Sequence, residues 1–267
     1  MQKAASYPIL PLSRPRSRWI ADKAVLERRT RTNDNRLLDS DRSAHDWYRF
    51  VLSFPPHLVR GYLERFEIDC ASRVLDPFCG TGTTLVEYKK QGIPSVGVEA
   101  NPVAYLASRV KLDWSPDPDA LLTHAQMVAE STLEVLRSEG IDDEFFFSEP
   151  RRRRGSLRSL SPDETALLLR DSISPLPLHK TLVLLEQMER QRDEGFYDHE
   201  RLALAKALVV SISNLHFGPE VGVGPAKLDA PVVASWLDCV GRMARDVQEL
   251  GPLRPPHSGR WPRRSCA

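Results

Sequence analysis

The stretch that most restricts how this chain folds is Val74-Leu75-Asp76-Pro77-Phe78-Cys79-Gly80-Thr81-Gly82-Thr83-Thr84-Leu85, followed after Gly92 by Val96-Gly97-Val98-Glu99-Ala100-Asn101-Pro102. Arg73 to Leu75 supply a short apolar, β-branched strand, Gly80 and Gly82 let the backbone turn tightly, and Thr83 to Lys90 start a helix. The order is strand, glycine turn, helix, strand, acidic residue, which is how nucleotide-binding α/β units open. A ligand then sits where the helix begins.

The acid is Glu99, roughly 20 residues after the glycines, the separation at which such units place a carboxylate on ribose hydroxyls. That pairing narrows the cofactor to an adenosine-type molecule. A phosphate-cradling P-loop needs Gly-Lys-Ser/Thr, and no lysine follows Gly82. A dinucleotide fingerprint needs a third glycine, and Leu85 stands in its place. Asp76 opens the turn with a carboxylate that repels a pyrophosphate and attracts a cation. S-adenosylmethionine, with its ammonium and sulfonium, fits that turn.

Asp76-Pro77-Phe78-Cys79-Gly80-Thr81-Gly82-Thr83-Thr84 resembles the cofactor motif of the S-adenosylmethionine-dependent DNA amino-methyltransferases, which modify N6 of adenine or N4 of cytosine. The resemblance implies backbone approach to the cofactor at Gly80 and Gly82, Asp76 at its methionine end and Glu99 at its ribose, with Pro77, Phe78, Thr83 and Asn101 in the same set. It also implies that Phe54 and Pro55, ahead of a Leu58-Val59 helix, line the methionine side. Double-stranded DNA is the implied partner and restriction-modification the implied setting. The resemblance covers residues 45 to 112 most fully.

Taken in order, residues 1–44 read as a proline-rich, then arginine-rich leader, partly disordered, either a solvated tail or an arm toward DNA phosphates. Residues 45–115 form the cofactor-binding α/β region, in which Pro55-Pro56 starts a helix bearing Leu58, Val59, Tyr62, Leu63 and Phe66 on one face. Cys79 reads as a small buried filler of the turn. Residues 116–250 are mostly helical, with helices expected over Ala120–Arg137, Thr181–Arg192 and Leu202–Ile212, and make the natural substrate-recognition block. Within it Arg151-Arg152-Arg153-Arg154, beside Phe145 to Phe147, suits a nucleic-acid contact or an exposed basic loop. Asn214 to Gly224 reads either as a substrate-facing turn with Asn214, His216 and Glu220 as polar contacts, or as a helix-ending turn. Trp114, His199 and Trp236 read as structural. Residues 251–267 are an irregular basic tail. The expected fold is thus α/β, a Rossmann-like S-adenosylmethionine methyltransferase fold with an incomplete sheet and a large helical insertion.

A net charge of +1 over 267 residues gives no global basic excess, so any DNA surface must come from local clustering. Cys70, Cys79, Cys239 and Cys266 show neither metal spacing nor a disulfide framework, so no metal is expected. Without a signal peptide or a run of about 18 apolar residues, the chain reads as cytoplasmic, with no membrane partner.

Methylating an exocyclic amino group requires acceptors for its hydrogen bonds, and the family supplies them with Asp, Asn or Ser followed by Pro-Pro and an aromatic residue. Phe54-Pro55-Pro56-His57 and Arg254-Pro255-Pro256-His257 both begin with the wrong residue, so no catalytic residue is assigned. The expectation is an incomplete chain, whose catalytic segment is lost through a frame change or an early stop, or is carried by a second subunit. An RNA or small-molecule methyltransferase and a non-catalytic cofactor- and DNA-binding subunit are the alternatives.

Overall fold

A computed structural model describes residues 36–50, 52–143, 155–217 and 220–251. The arginines 151–154, nearly all of the basic leader and the tail after Gly251 lie outside the described residues. From Leu37 on, the described residues form one compact unit, mixed α/β with helices predominating.

Strand β1 (Val74–Asp76) and strand β2 (Ser95–Gly97) run parallel, paired as Val74 with Ser95, Leu75 with Val96 and Asp76 with Gly97. Helix α2 (Thr83–Lys90) connects them and covers one face of the pair. The approach is close: a Cβ on Gly97 would lie 2.4 Å from Leu85 Cδ1 and 2.8 Å from Cys79 Sγ. On the other face Leu75 and Val96 are more than half exposed.

Helix α1 (Pro56–Arg65) packs on α2 through Val59 and Leu63, which meet Tyr88 and Ile93. The single apolar face expected for this helix is in fact split. Leu58, Tyr62 and Phe66 are exposed, with the Tyr62 and Phe66 rings stacked 6.0 Å apart, because only Val59 and Leu63 turn toward a partner.

Helix α3 (Pro102–Lys111) is the wall between the β1–α2–β2 unit and the helical body of α4 (Pro118–Ser138), the short α5 (Pro162–Ala166), α6 (Pro175–Arg190), α7 (Tyr197–Ala207) and α8 (Val232–Leu250). Ala107 and Val110 of α3, Trp47 and Val86 share one continuous core with Trp114, Leu121, Val128, Met188, Leu202, Trp236 and Met243. His199, Trp114 and Trp236 are buried, the structural positions their sequence suggested. The three expected helices appear as α4, α6 and α7, the last continuing as a π-helical turn over Leu208–Ile212.

Local sequence sets these boundaries. Helices α1, α3, α4, α5 and α6 each carry proline in the first turn, where no backbone N–H is needed. Asn101, Asp117 and Ser161 cap α3, α4 and α5 through their side chains, Ser161 in a reciprocal box with Glu164. Helix α8 is capped from a distance: Asp143 accepts the amides of Val232, Val233 and Ala234 at 2.9, 2.9 and 3.1 Å.

Between α7 and α8 lies an antiparallel hairpin, β3 (Leu215–Phe217) with β4 (Val221–Val223). Asn214 holds its base. Its Nδ2 donates to Asp171 O at 2.9 Å and Ser174 Oγ at 3.1 Å, while its Oδ1 accepts the Lys227 amide at 2.9 Å. The Asn214 side chain is thereby consumed in ordering the base of the hairpin, a strand pair that neither sequence reading anticipated.

Candidate cofactor site

The turn after β1 is built almost wholly from hydrogen bonds to and from its own backbone. Val98 N donates to Asp76 O at 2.9 Å and Cys79 N to Val98 O at 3.1 Å, so the end of β2 extends alongside the turn. Asp76 Oδ1 accepts the Phe78 amide at 3.2 Å, and Gly82 N donates to Cys79 O at 2.8 Å. Gly80 and Gly82 hold φ of 53° and 85°, left-handed values that explain why glycine stands at both positions.

Glu99 closes the turn from β2. One carboxylate oxygen accepts Gly80 N at 2.8 Å, the other Asn101 N at 2.7 Å. Asn101 in turn caps α3, its Oδ1 accepting the amides of Val103 and Ala104 at 2.9 and 3.1 Å. Asp76, Phe78, Gly80, Glu99 and Asn101 therefore belong to one bonded set, with Gly82 and Thr83 at the start of α2. Pro55 is buried at the head of α1, Phe54 is half exposed and Phe78 is 90% exposed; all three stand outside that bonded set through their side chains.

The arrangement suits a ligand of mixed charge. Helix α2 has no side-chain cap, so its first amides are free of a side-chain acceptor and present the positive end of the helix to a carboxylate. Asp76 and Glu99 flank the same turn and favour an ammonium and hydroxyl donors. A Cβ built on Gly80 meets nothing within 4 Å, so the turn is open on that side. S-adenosylmethionine, with carboxylate, ammonium, sulfonium and ribose hydroxyls, matches this donor set. Burial pushes the Cys79 thiol up in pKa, and the neighbouring Asp76 charge adds to the effect. A protonated, buried thiol is a poor nucleophile, so Cys79 is a packing residue.

The sequence reading passed over Ser108. It lies on the buried side of α3 with Ala104 and Ala107, at positions three and four apart, a small-residue pattern that signals close backbone approach. A Cβ on Gly82 would lie 2.9 Å from Ser108 Cβ. Among the described residues no group of His, Cys, Asp and Glu gathers as a metal site. No described helix is long and apolar enough to cross a membrane.

No family model matches the chain, and no solved structure does. Two curated proteins are similar to part of it. The Type II methyltransferase M.BsoBI of Geobacillus stearothermophilus is 34% identical over 73 residues, 27% of this chain and 14% of that protein. The Type II methyltransferase M.MjaII of Methanocaldococcus jannaschii is 35% identical over 71 residues, 27% of this chain and 13% of that protein. The match thus spans about one seventh of these relatives' length. Over about a quarter of its own length the chain resembles Type II methyltransferases, the kind of protein to which its glycine-turn motif had pointed.

Proposed function

We propose that this chain binds S-adenosylmethionine at the turn between β1 and α2 and serves the methylation of an exocyclic amino group of DNA, N6 of adenine or N4 of cytosine, within a Rossmann-like methyltransferase fold. The observation that carries the reading is the pair of carboxylates, Asp76 and Glu99, set on either side of a left-handed glycine turn that is open at Gly80. The similarity to Type II methyltransferases supports it independently.

The bound cofactor supplies an electrophilic methyl group on sulfur. The chain's own groups hold the rest of that molecule: the α2 amides its carboxylate, Asp76 its ammonium, Glu99 its ribose hydroxyls, with Pro77, Phe78, Thr83, Phe54 and Pro55 shaping the surroundings. Because Gly80 and Asn101 already occupy one lone pair on each Glu99 oxygen, the carboxylate is oriented before the ribose arrives, which lowers the entropic cost of binding. The arginines 151–154 are proposed as phosphate contacts.

Accepting hydrogen bonds from the target amino group falls to an Asp/Asn/Ser-Pro-Pro-aromatic segment, which is absent from these 267 residues. A longer form of this chain or a second polypeptide would supply it. The open face of the two-stranded sheet, where Leu75 and Val96 are exposed, favours such completion, since parallel sheets are ordinarily covered on both faces.

Transfer of labelled methyl from S-adenosylmethionine to mixed duplex DNA, beside calorimetric cofactor binding, tests the reading. Cofactor binding that is lost in Asp76→Ala, without transfer by the chain alone, is the expected result. A native chain that binds no S-adenosylmethionine refutes the proposal, and transfer by these 267 residues alone would place the acceptor groups within them.

A further inference from the structure

Helix α3 meets the glycine turn at Ser108. The turn backbone at Gly82 runs so close to α3 that a Cβ there would lie 2.9 Å from Ser108 Cβ and 3.0 Å from Ser108 Cα. The Ser108 hydroxyl donates to Tyr105 O at 3.0 Å, within its own helix. Ser108 is 5% exposed, so a larger side chain there has no route to solvent. From the opposite side Glu99 and Asn101 fasten the same turn to the start of α3. The turn is thus gripped at Gly80 through Glu99 and at Gly82 through Ser108.

We infer that Ser108 is a positioning residue for S-adenosylmethionine: it touches no cofactor, and through Gly82 it fixes where the turn amides and the Asp76 carboxylate point. The inference rests on the reading that this turn holds that cofactor. The physical reason is that α3 is anchored elsewhere. Ala107 and Val110 are locked in the helical core, so added volume at residue 108 displaces the turn and leaves the helix in place.

The test compares the full chain with Ser108→Ala, Ser108→Thr and Ser108→Val, each confirmed folded by a cooperative melt. Two quantities are read well below the melting temperature: the S-adenosylmethionine dissociation constant, and amide hydrogen exchange at Gly80 and Gly82 in the ligand-free protein. Both amides are hydrogen-bonded, so their protection reports the seating of the turn. Ser108→Ala is expected to bind within about threefold of the native chain, the scale of one modest hydrogen bond. Ser108→Thr weakens binding measurably, and Ser108→Val weakens it by at least about tenfold, as expected of overpacking. Exchange at the two glycines accelerates in the same order.

A purely structural role predicts lower melting temperatures with an unchanged dissociation constant and unchanged exchange at the turn, and that result overturns the inference. Should the native chain bind no S-adenosylmethionine, the cofactor assignment falls. Exchange at Gly80 and Gly82 then still decides whether Ser108 seats the turn.

Discussion

The carboxylate of Glu99 accepts the amide of Gly80 at 2.8 Å, and that one bond ties the end of β2 to the turn after β1. A second, from Asn101 at 2.7 Å, carries the link on to α3. Glu99 is therefore both a structural clamp and the proposed ribose acceptor, and substitution separates the roles. Glu99→Gln keeps an amide-accepting oxygen and loses the charge, whereas Glu99→Ala loses both bonds. S-adenosylmethionine affinity measured by calorimetry is expected to fall at least about tenfold in Glu99→Ala, as for loss of a hydrogen bond to a charged group, and less in Glu99→Gln. Equal affinity in all three proteins would remove Glu99 from the site.

Asp143 and Lys180 form the sharpest stability determinant of the helical body. Asp143 accepts three amides at the start of α8 while the fully buried Lys180 ammonium lies 3.4 Å away and also reaches Asp229 at 2.7 Å. Burial holds the Asp143 carboxyl above its usual pKa, opposed by Lys180 and the three amides. Asp143→Ala strips the helix of its cap and leaves Lys180 with the half-exposed Asp229. Urea denaturation is expected to show a loss of about 3 kcal/mol, the scale for breaking a buried pair, and Asp143→Asn a smaller one because its side-chain oxygen still caps. A loss under about 1 kcal/mol, ordinary for a surface cap, would show that the pair carries little.

Lys111 presents the opposite case, a buried amine with no hydrogen-bond partner among the described residues. Burial, then the Arg49 and Lys206 charges, lower its pKa from 10.5 to about 7, against a weaker pull from Asp46. In the unfolded chain the amine stays protonated to about pH 10.5, so between pH 7 and 10.5 the unfolded state holds the extra proton and stability rises with pH. Below pH 7 both states are charged and the full cost of the buried ammonium remains. Raised thiol pKa values at Cys79 and Cys239 act in the other direction near pH 9, and His45 and His199, lowered by burial, act in acid. The comparison therefore belongs between pH 7 and 9, with Lys111→Met as reference. The native chain is expected to gain stability across that window relative to the variant, and the variant to be the more stable protein at pH 7. Parallel curves would mean that Lys111 reaches water or an anion in solution.

The lysine illustrates what a sequence conceals. Lys111 closes a helix that Asn101 caps and Pro102 opens, yet nothing in its neighbours announces burial, which follows from where α7 and the turn at His45–Trp47 settle. The β1, turn, α2 and β2 order was legible because glycine, β-branching and helical period all agree over a short span. The hairpin was not. Leu215-His216-Phe217 and Val221-Gly222-Val223 are three-residue strands, too short for alternation to register, and a central glycine weakens the second. The π turn at Leu208–Ile212 reads as continued α-helix because both present the same apolar residues. Ser108 was missed for a related reason: a small polar residue on a helix reads as surface until the turn that packs on it is in place.

The open side of the sheet gives the last prediction. Leu75 is 62%, Val96 55% and Val98 50% exposed, and Leu58, Tyr62 and Phe66 line the outside of nearby α1. One position away in each strand, Gly97 faces Cys79 and Leu85 while Val74 packs against Val59, Leu63, Tyr88 and Ile93, so a register shift that hid the apolar set would put Leu75 and Val96 into that packed layer and break it. The face is thus held open by the packing behind it. Purified alone, the chain is expected to bind a hydrophobic dye while still melting cooperatively, and to scatter light as concentration rises. Leu75→Thr with Val96→Thr places β-branched strand formers at both positions and removes apolar surface, so dye binding and scattering should drop with little change in melting temperature. A native chain that binds no dye, or a double variant that binds as much, would place the exposed apolar surface elsewhere on the molecule.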